Sequence, residues 1–354
     1  MSTIASKEPP RTESQSGPRR RGCLFSVGRG ILVLVALVAV LVLLGVAYQA
    51  IASGSDKAAF TPRGQLYPVN GHPMHMVCMG EGSPAIVLEA GAAAESLWWI
   101  RVQTQLAEHT KVCAYDRPGH GWSEPTTEPR DAITLVTELH ALLEQAEISP
   151  PYLVVGHSYG ALWTRIFASR YRDEVTGAVL VDSSLLIPEQ FASQEEFDDW
   201  KASNDSIQLL PRVALLTGVI RLTGPSTFSA AGYSPELVPE LVTLQARTAV
   251  LDADYAEQIA ARREFTEAAA NARDFGEMPL GIVWASDTYT MMQAISELRQ
   301  ASVEMKNYST DTSTRIIAGA SHGSLLGSES HARQVADAVL EVLAAARSGQ
   351  PLAQ

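Results

Sequence analysis

The chain has 354 residues, of which 46% are hydrophobic and 19% are charged, and its 39 acidic side chains against 27 basic ones give a net charge of −12. This apolar content excludes a collagen-like or disordered chain. The acidic balance argues against nucleic acid as a partner, because a nucleic-acid binder presents a basic face. Three cysteines are too few for a disulfide scaffold or a four-thiolate zinc site. The length allows one large domain or two small ones.

The chain begins with a polar segment that leads into a long apolar one. Residues 1–30 are rich in Ser, Pro and Arg and carry a charge of +4, so we expect a disordered cytoplasmic tail. Residues 31–48 contain no charged side chain, and the apolar stretch continues to residue 52 past a single Gln49. This pattern predicts a transmembrane helix over residues 31–52. Since basic residues precede the helix, the rest of the chain is expected to be extracytoplasmic, anchored at the cell membrane.

A cleaved signal peptide is the alternative to an anchor. Ala50, Ile51 and Ala52 match the small-x-small pattern of a cleavage site. The apolar run is longer than the roughly 7–15 residues of a signal-peptide core, which favours the anchor. A cleaved chain would be secreted, so both interpretations export the residues that follow.

From residue 60 to residue 354, short apolar runs come to alternate with longer amphipathic stretches. Asn70-Gly71 between the first two runs predicts a β-hairpin. The later alternation predicts β-α-β units, and hence a mostly parallel sheet with helices on both faces. Strands are predicted at residues 64–69, 74–79, 85–89, 111–115, 152–155, 178–181, 280–284 and 315–318, and helices at residues 97–109, 132–146, 160–171, 289–306 and 331–346.

The alternation of strands and helices is interrupted at about residues 187–278. Helices are predicted there at residues 189–202, 207–222 and 235–270. An insertion of this length is typical of a lid or cap over the edge of a sheet. Its apolar side chains either pack on the sheet or line a hydrophobic acyl pocket.

The strongest local motif is Gly156-x-Ser158-x-Gly160, which follows an apolar run and precedes a helical pattern. A strand-to-helix turn this tight needs small residues two positions before and after the serine. It holds the serine exposed above the end of the strand. Ser158 is therefore the candidate nucleophile.

A serine hydroxyl needs a neighbouring base and a third group that orients the base. His322 follows the last predicted strand in a loop of small residues and is the candidate base. Asp287 follows the preceding strand and gives the chain order Ser, Asp, His, so it is the first choice of acid. Asp182, at the end of the strand after the nucleophile, is the alternative acid.

The tetrahedral intermediate of acyl transfer needs two backbone N–H donors that point at its oxyanion. One is expected from Tyr159, the residue after the nucleophile. The loop after the strand at residues 85–89 is rich in Gly and Ala, which lets the backbone approach a substrate. Ala92 in that loop is the second expected donor, and a βα turn without a catalytic part is the alternative.

These segments together resemble the α/β-hydrolase superfamily over about residues 64–343. The resemblance implies an α/β-hydrolase fold with an eight-stranded, mostly parallel sheet and a helical cap. The family commonly has His-Gly where this chain has Ala90-Gly91, and it commonly has a glycine where Trp284 precedes Asp287. The second departure leaves the choice of acid open. The resemblance rests on residues 86–91, 112–123, 152–161 and 319–322.

The resemblance also implies a function. Members similar to dehalogenases and epoxide hydrolases have aspartate at the nucleophile position, whereas Ser158 indicates acyl transfer to water without a metal or organic cofactor. We therefore expect a membrane-anchored serine hydrolase of the carboxylesterase or lipase type, with a small and hydrophobic acyl substrate. The alternatives are a non-catalytic hydrolase-like binding domain, and a peptidase or acyltransferase with the same triad. The family's strand order makes Cys78 and Cys113 neighbours, as a disulfide or as two buried thiols.

Overall fold

The computed structural model describes residues 21–183 and 193–352. The first element is helix α1, Arg21–Ala59, within which Gly28–Asp56 is long and apolar enough to cross a membrane. The disorder predicted for residues 1–30 is wrong for residues 21–30, since each residue added to an existing helix gains a backbone hydrogen bond. Residues 1–20 of the predicted tail lie outside the described residues.

The described residues form one sheet of eight strands, of which six consecutive ones run parallel. The first two strands form the predicted hairpin, and β2 pairs antiparallel with β4, while all later pairs are parallel. The expected eight-stranded, mostly parallel sheet is confirmed. The strands are β1 Gln65–Val69, β2 His72–Met79, β3 Ala85–Glu89, β4 Val112–Tyr115, β5 Tyr152–His157, β6 Val175–Val181, β7 Leu280–Ala285 and β8 Thr312–Ile317, in the order β1-β2-β4-β3-β5-β6-β7-β8.

Helices cover both faces of the sheet, as the alternation of strands and helices predicts. Successive strand residues point to opposite faces, so Ile86 and Leu88 join one apolar core and Val87 joins the other. The helices outside the insertion are α2 Ile100–Leu106, α3 Ala132–Gln145, α4 Gly160–Arg170, α10 Ser286–Ala294, α11 Ser296–Met305, α12 Ser324–Gly327 and α13 Glu329–Ser348.

Five helices, which we call the cap helices, lie between β6 and β7 in the part of this segment that the structure describes. The helix predicted for residues 207–222 is two helices, because Gly218 adopts a left-handed conformation with φ of 73° and ends the first. The helix predicted for residues 235–270 is also two, and residues 189–192 of the first predicted cap helix lie outside the described residues. The cap helices are α5 Gln194–Ile207, α6 Leu209–Leu216, α7 Val219–Ala230, α8 Val238–Gln245 and α9 Thr248–Asn271.

The antiparallel side of the sheet carries a disulfide. Cys78 on β2 lies opposite Cys113 on β4, and the two are bonded to each other. Of the two states expected for these cysteines, the structure has the disulfide. The candidate site lies elsewhere in the sheet. It is at the carboxyl ends of five of the parallel strands, which are β3, β5, β6, β7 and β8.

Candidate active site

Ser158 occupies a sharp turn between β5 and α4. Its φ is 57°, in the left-handed region that residues other than glycine rarely adopt. The turn packs so closely that a Cβ at Gly160 would lie 2.5 Å from the carbonyl oxygen of Ala90, and one at Gly156 would collide with Gly160. The spacing of small residues therefore permits this turn, as the motif predicts.

Asp182 and His322 meet directly at the carboxyl ends of the strands. The Nδ1 of His322 donates to Oδ2 of Asp182 over 2.6 Å. Asp182 also accepts hydrogen bonds from the backbone N–H of Ala285 and the hydroxyl of Thr288, at 2.9 and 2.7 Å. The carboxylate is buried while His322 is 46% exposed, so the fixed acid holds one nitrogen of an accessible imidazole.

His322 is hydrogen-bonded to Asp182, the alternative acid, rather than to Asp287, the first choice. β7 passes at Ala285 straight into α10, so Asp287 lies in the first turn of that helix and its backbone N–H bonds to Ala320. Without a loop after β7, the side chain of Asp287 is exposed while His322 bonds to Asp182. The sequence signal for this difference is Trp284, which stands where the family commonly has glycine.

The candidate site opens into a cavity of about 550 Å³. Its polar lining includes the serine, the histidine and both aspartates, and the apolar side comes from α10 and α11. The cavity therefore has room for a small substrate with an apolar portion. The lining residues are Ser158, Asp182, Ser183, Asp287, Thr288, Met291, Met292, Leu298 and His322.

A second imidazole, His157, lies under His322. The two ring centroids are 4.4 Å apart, and His157 is buried. Burial, and then the neighbouring His322, lower the pKa of His157 below its usual value. His157 is therefore neutral at neutral pH, and its ring supports the exposed histidine from below.

The loop after β3 lies against the serine. A Cβ at Gly91 would be 3.0 Å from Cβ of Ser158, so a side chain there would require the serine to shift. Arg117 donates to the carbonyl oxygens of Ala90 and Gly91, each at 2.7 Å. In a trans peptide the N–H points opposite to the carbonyl, so the bond to Gly91 turns the N–H of Ala92 away from Arg117.

Arg117 belongs to a buried ion network that reaches the cap. It pairs with Glu89 on β3 at 2.6 Å and with Glu257 on α9 at 3.0 Å. Glu257 also pairs with Arg130 at 2.7 Å. Burial acts to raise the pKa of Glu257, but Arg117, His120 and Arg130 outweigh it and lower this pKa to about 2. The carboxylate is therefore ionised at neutral pH, and it ties the loop after β3 to α9.

Sequence reasoning did not identify Arg117 and Glu257 as the residues that link the loop after β3 to α9. Residues 112–123 match a family motif, and this motif contains Arg117, which was a sufficient signal for the arginine. Glu257 lies 140 residues away on an insertion, and its pairing with Arg117 depends on how α9 packs.

The comparisons with known proteins agree with this fold. The family model described as "Alpha/beta hydrolase family" matches residues 86–338. The Bacillus subtilis protein "Uncharacterized protein YqjL" is 35% identical over 124 residues, which are 34% of this chain and 48% of that protein. The chain spans about half or less of the length of the curated relatives that it matches.

Solved structures are similar over most of this chain. The epoxide hydrolase CorEH has a TM-score of 0.60 at 21% identity and covers 79% of this chain and 98% of its own. The enol-lactonase from Burkholderia xenovorans LB400 has a TM-score of 0.57 at 19% identity, and covers 79% of this chain and all of its own. These likenesses show the fold, and the family model covers most of the chain, so this protein belongs to the alpha/beta hydrolase family.

Proposed function

We propose that this family member is a serine hydrolase that cleaves esters or related acyl bonds, held at the membrane by α1. The observation that carries the proposal is the bond between Asp182 and His322 beside a serine in a strained turn, all three around one cavity. A half-buried serine that lines the cavity and an imidazole fixed by a buried carboxylate are the parts that nucleophilic acyl transfer requires.

The chemistry follows from the positions of these groups. With Nδ1 of His322 bonded to Asp182, Nε2 takes the proton of Ser158 as the serine oxygen attacks the acyl carbon. Asp182 stabilises the imidazolium that forms. The imidazolium returns the proton to the leaving alcohol, which departs and leaves an acyl-enzyme. Water then attacks the acyl-enzyme, with the same histidine as base, and releases the carboxylic acid and free Ser158.

The backbone N–H groups of Tyr159 and Ala92 are the proposed oxyanion donors. Tyr159 directly follows the serine as the N-cap residue of α4, and Ala92 follows Gly91, which lies close to the serine. The two bonds from Arg117 to this loop support the assignment of Ala92, since they fix the orientation of the peptide that carries its N–H.

The proposed substrate is a small ester with an apolar acyl or alcohol group. Met291, Met292 and Leu298 line one side of the cavity, opposite the polar side chains. Apolar walls with a few polar groups are typical of small-molecule sites. A water-soluble ester with a short acyl chain would therefore fit beside the serine.

Two features support export and anchoring. The apolar side chains of α1 are exposed along the candidate span, as a helix surrounded by lipid requires. The disulfide between Cys78 and Cys113 fits an oxidising compartment outside the cytoplasm.

Hydrolysis of short p-nitrophenyl esters by the full chain tests the proposal. We expect turnover by the wild-type chain and a loss of at least ~10³-fold in kcat for Ser158→Ala, because the nucleophile and its base act as a unit. Ser321→Ala is the matched control, since Ser321 is exposed and adjacent to His322, and it should keep wild-type turnover. Equal turnover by wild-type and Ser158→Ala would overturn the assignment.

A further inference from the structure

The end of α1 packs tightly against the turn between α6 and α7. A Cβ at Gly45 of α1 would lie 2.6 Å from the carbonyl oxygen of Thr217, and one at Gly218 would lie 2.6 Å from the ring of Tyr48. Glycine therefore occupies the point of closest approach both in α1 and in the turn between α6 and α7. Contacts this close leave little freedom between the end of the apolar helix and the cap helices.

Polar contacts reinforce this packing. Arg221 of α7 donates to Gln49 at 2.8 Å and pairs with Asp56 at 2.5 Å. Gln49 is buried and also donates to the carbonyl oxygen of Ala246 at 2.9 Å. The last three turns of α1 are thus bonded to α7 and to the residue after α8, so the orientation of the cap relative to α1 is fixed.

The two helices beside this contact present an apolar face to the outside. Within residues 209–222, six large aliphatic side chains are exposed, while Leu215 between them points into the protein. Exposed apolar side chains gathered so closely mark an interaction surface rather than the scattered exposure of an ordinary surface. We call this surface the cap apolar face; its members are Leu209, Leu210, Val213, Leu216, Val219 and Leu222.

The cap apolar face lies beside the last turns of the apolar stretch of α1. Gly45 is seven residues before residue 52, where the predicted transmembrane helix ends, a distance of about 10 Å along the helix axis at 1.5 Å per residue. Thr217 approaches α1 at Gly45, so the turn between α6 and α7 lies beside the last two turns of this apolar stretch. In a bilayer the end of the apolar stretch lies at the interface between acyl chains and headgroups, so this turn lies within about 10 Å of that interface.

We propose that the cap apolar face docks into the outer surface of the lipid bilayer that α1 spans; this rests on the anchoring part of the proposed function. The cations nearest to the face are already paired, Arg212 with Asp252 and Arg221 with Asp56. Burial of aliphatic side chains, rather than attraction to anionic headgroups, therefore drives the contact. The occupant of the face is the acyl-chain boundary of an uncharged phospholipid leaflet.

Docking in this way holds the candidate active site close to the lipid. α7 runs from Gly218, which contacts α1, to Ala231, which lies against Gly323 beside His322. Its twelve residues span about 18 Å. The end of α7 that lies beside the candidate site is therefore about one helix length from the turn that contacts α1.

Depth-dependent quenching by spin-labelled lipids tests the docking in the full chain, reconstituted into phosphatidylcholine vesicles. On a Cys23→Ser background, a fluorophore is attached through Leu210→Cys or Leu222→Cys. We expect both labels to lie within about 5–10 Å of the boundary between headgroups and acyl chains. A label at Gln350→Cys, near the amino ends of the strands, is the control and should not be quenched.

A label at Leu37→Cys within α1 reports separately on the anchor, and ester turnover reports separately on catalysis. Absence of quenching at both Leu210→Cys and Leu222→Cys overturns the docking, whatever the Leu37→Cys label shows. Circular dichroism melting of each labelled chain identifies unfolded variants. A second variant with Leu209→Gln, Leu210→Gln and Leu222→Gln should shift a label at Val213→Cys out of reach of the lipid quencher, and an unchanged depth would contradict the proposal.

Discussion

At the scale of single residues, the candidate site depends on two positions with unusual backbone geometry. Ser158 and Asp182 both have positive φ, at 57° and 45°, and each directly follows the last residue of a parallel strand. The small-residue motif was sufficient to predict the turn at Ser158, and the position of His322 after the last strand agrees with the sequence. The pairing of His322 with Asp182 rather than with Asp287 was not predictable, because it depends on whether a loop or a helix follows β7.

Asparagine substitutions at the two aspartates separate them. We expect Asp182→Asn to lower kcat by about 10³–10⁴-fold, because an amide cannot hold His322 in the tautomer that accepts a proton at Nε2. Asp287→Asn should stay within about threefold of the wild type, since His322 bonds to Asp182. The measurement is p-nitrophenyl ester turnover by full chains with matched melting temperatures. The reverse ranking of the two variants would contradict the triad proposed above.

At the scale of elements, the loop after β3 and helix α9 are joined through one arginine. Arg117 holds the carbonyls of Ala90 and Gly91 and also pairs with Glu257. The helices themselves follow from sequence periodicity, but this connection between distant elements does not, because the hydrophobic pattern of α9 does not specify which buried cation its carboxylate meets.

Removing the negative charge of Glu257 should impair the positioning of the loop after β3. We expect Glu257→Gln to lower kcat about 10- to 100-fold with a smaller change in KM, because a displacement of about 1 Å in an oxyanion donor weakens the transition state more than the ground state. It should also lower the melting temperature, since it leaves buried cations without their partner. The assay is therefore run well below the melting temperature of the variant.

Glu240→Gln is the control for this variant. Glu240 is a buried carboxylate of α8 that pairs with Arg63 and not with the loop after β3. Its replacement should reduce stability without a comparable loss of kcat. If Glu240→Gln and Glu257→Gln lose the same fraction of kcat at equal fractions folded, the positioning role of Glu257 is wrong.

At the scale of the whole molecule, the sheet and its covering helices were predictable because hydrophobic periodicity is local. The edge strand β8 starts at Thr312 rather than at residue 315. Its first residues are polar and not buried, so they give no hydrophobic signal in the sequence. The contact between α1 and the cap was not predictable. Gln49 reads in the sequence as a polar interruption of an apolar run, and only the folded chain brings it to Arg221 and Ala246.

The central claim is that Ser158 is the nucleophile of a serine hydrolase. Covalent labelling of the full chain with a fluorophosphonate probe, followed by peptide mass spectrometry, tests it most directly. We expect one probe per chain, on the peptide that contains Ser158, with labelling abolished in Ser158→Ala and strongly slowed in Asp182→Asn but not in Asp287→Asn. Ester hydrolysis by a chain whose Ser158 stays unlabelled, or labelling that persists in Ser158→Ala, would contradict the account.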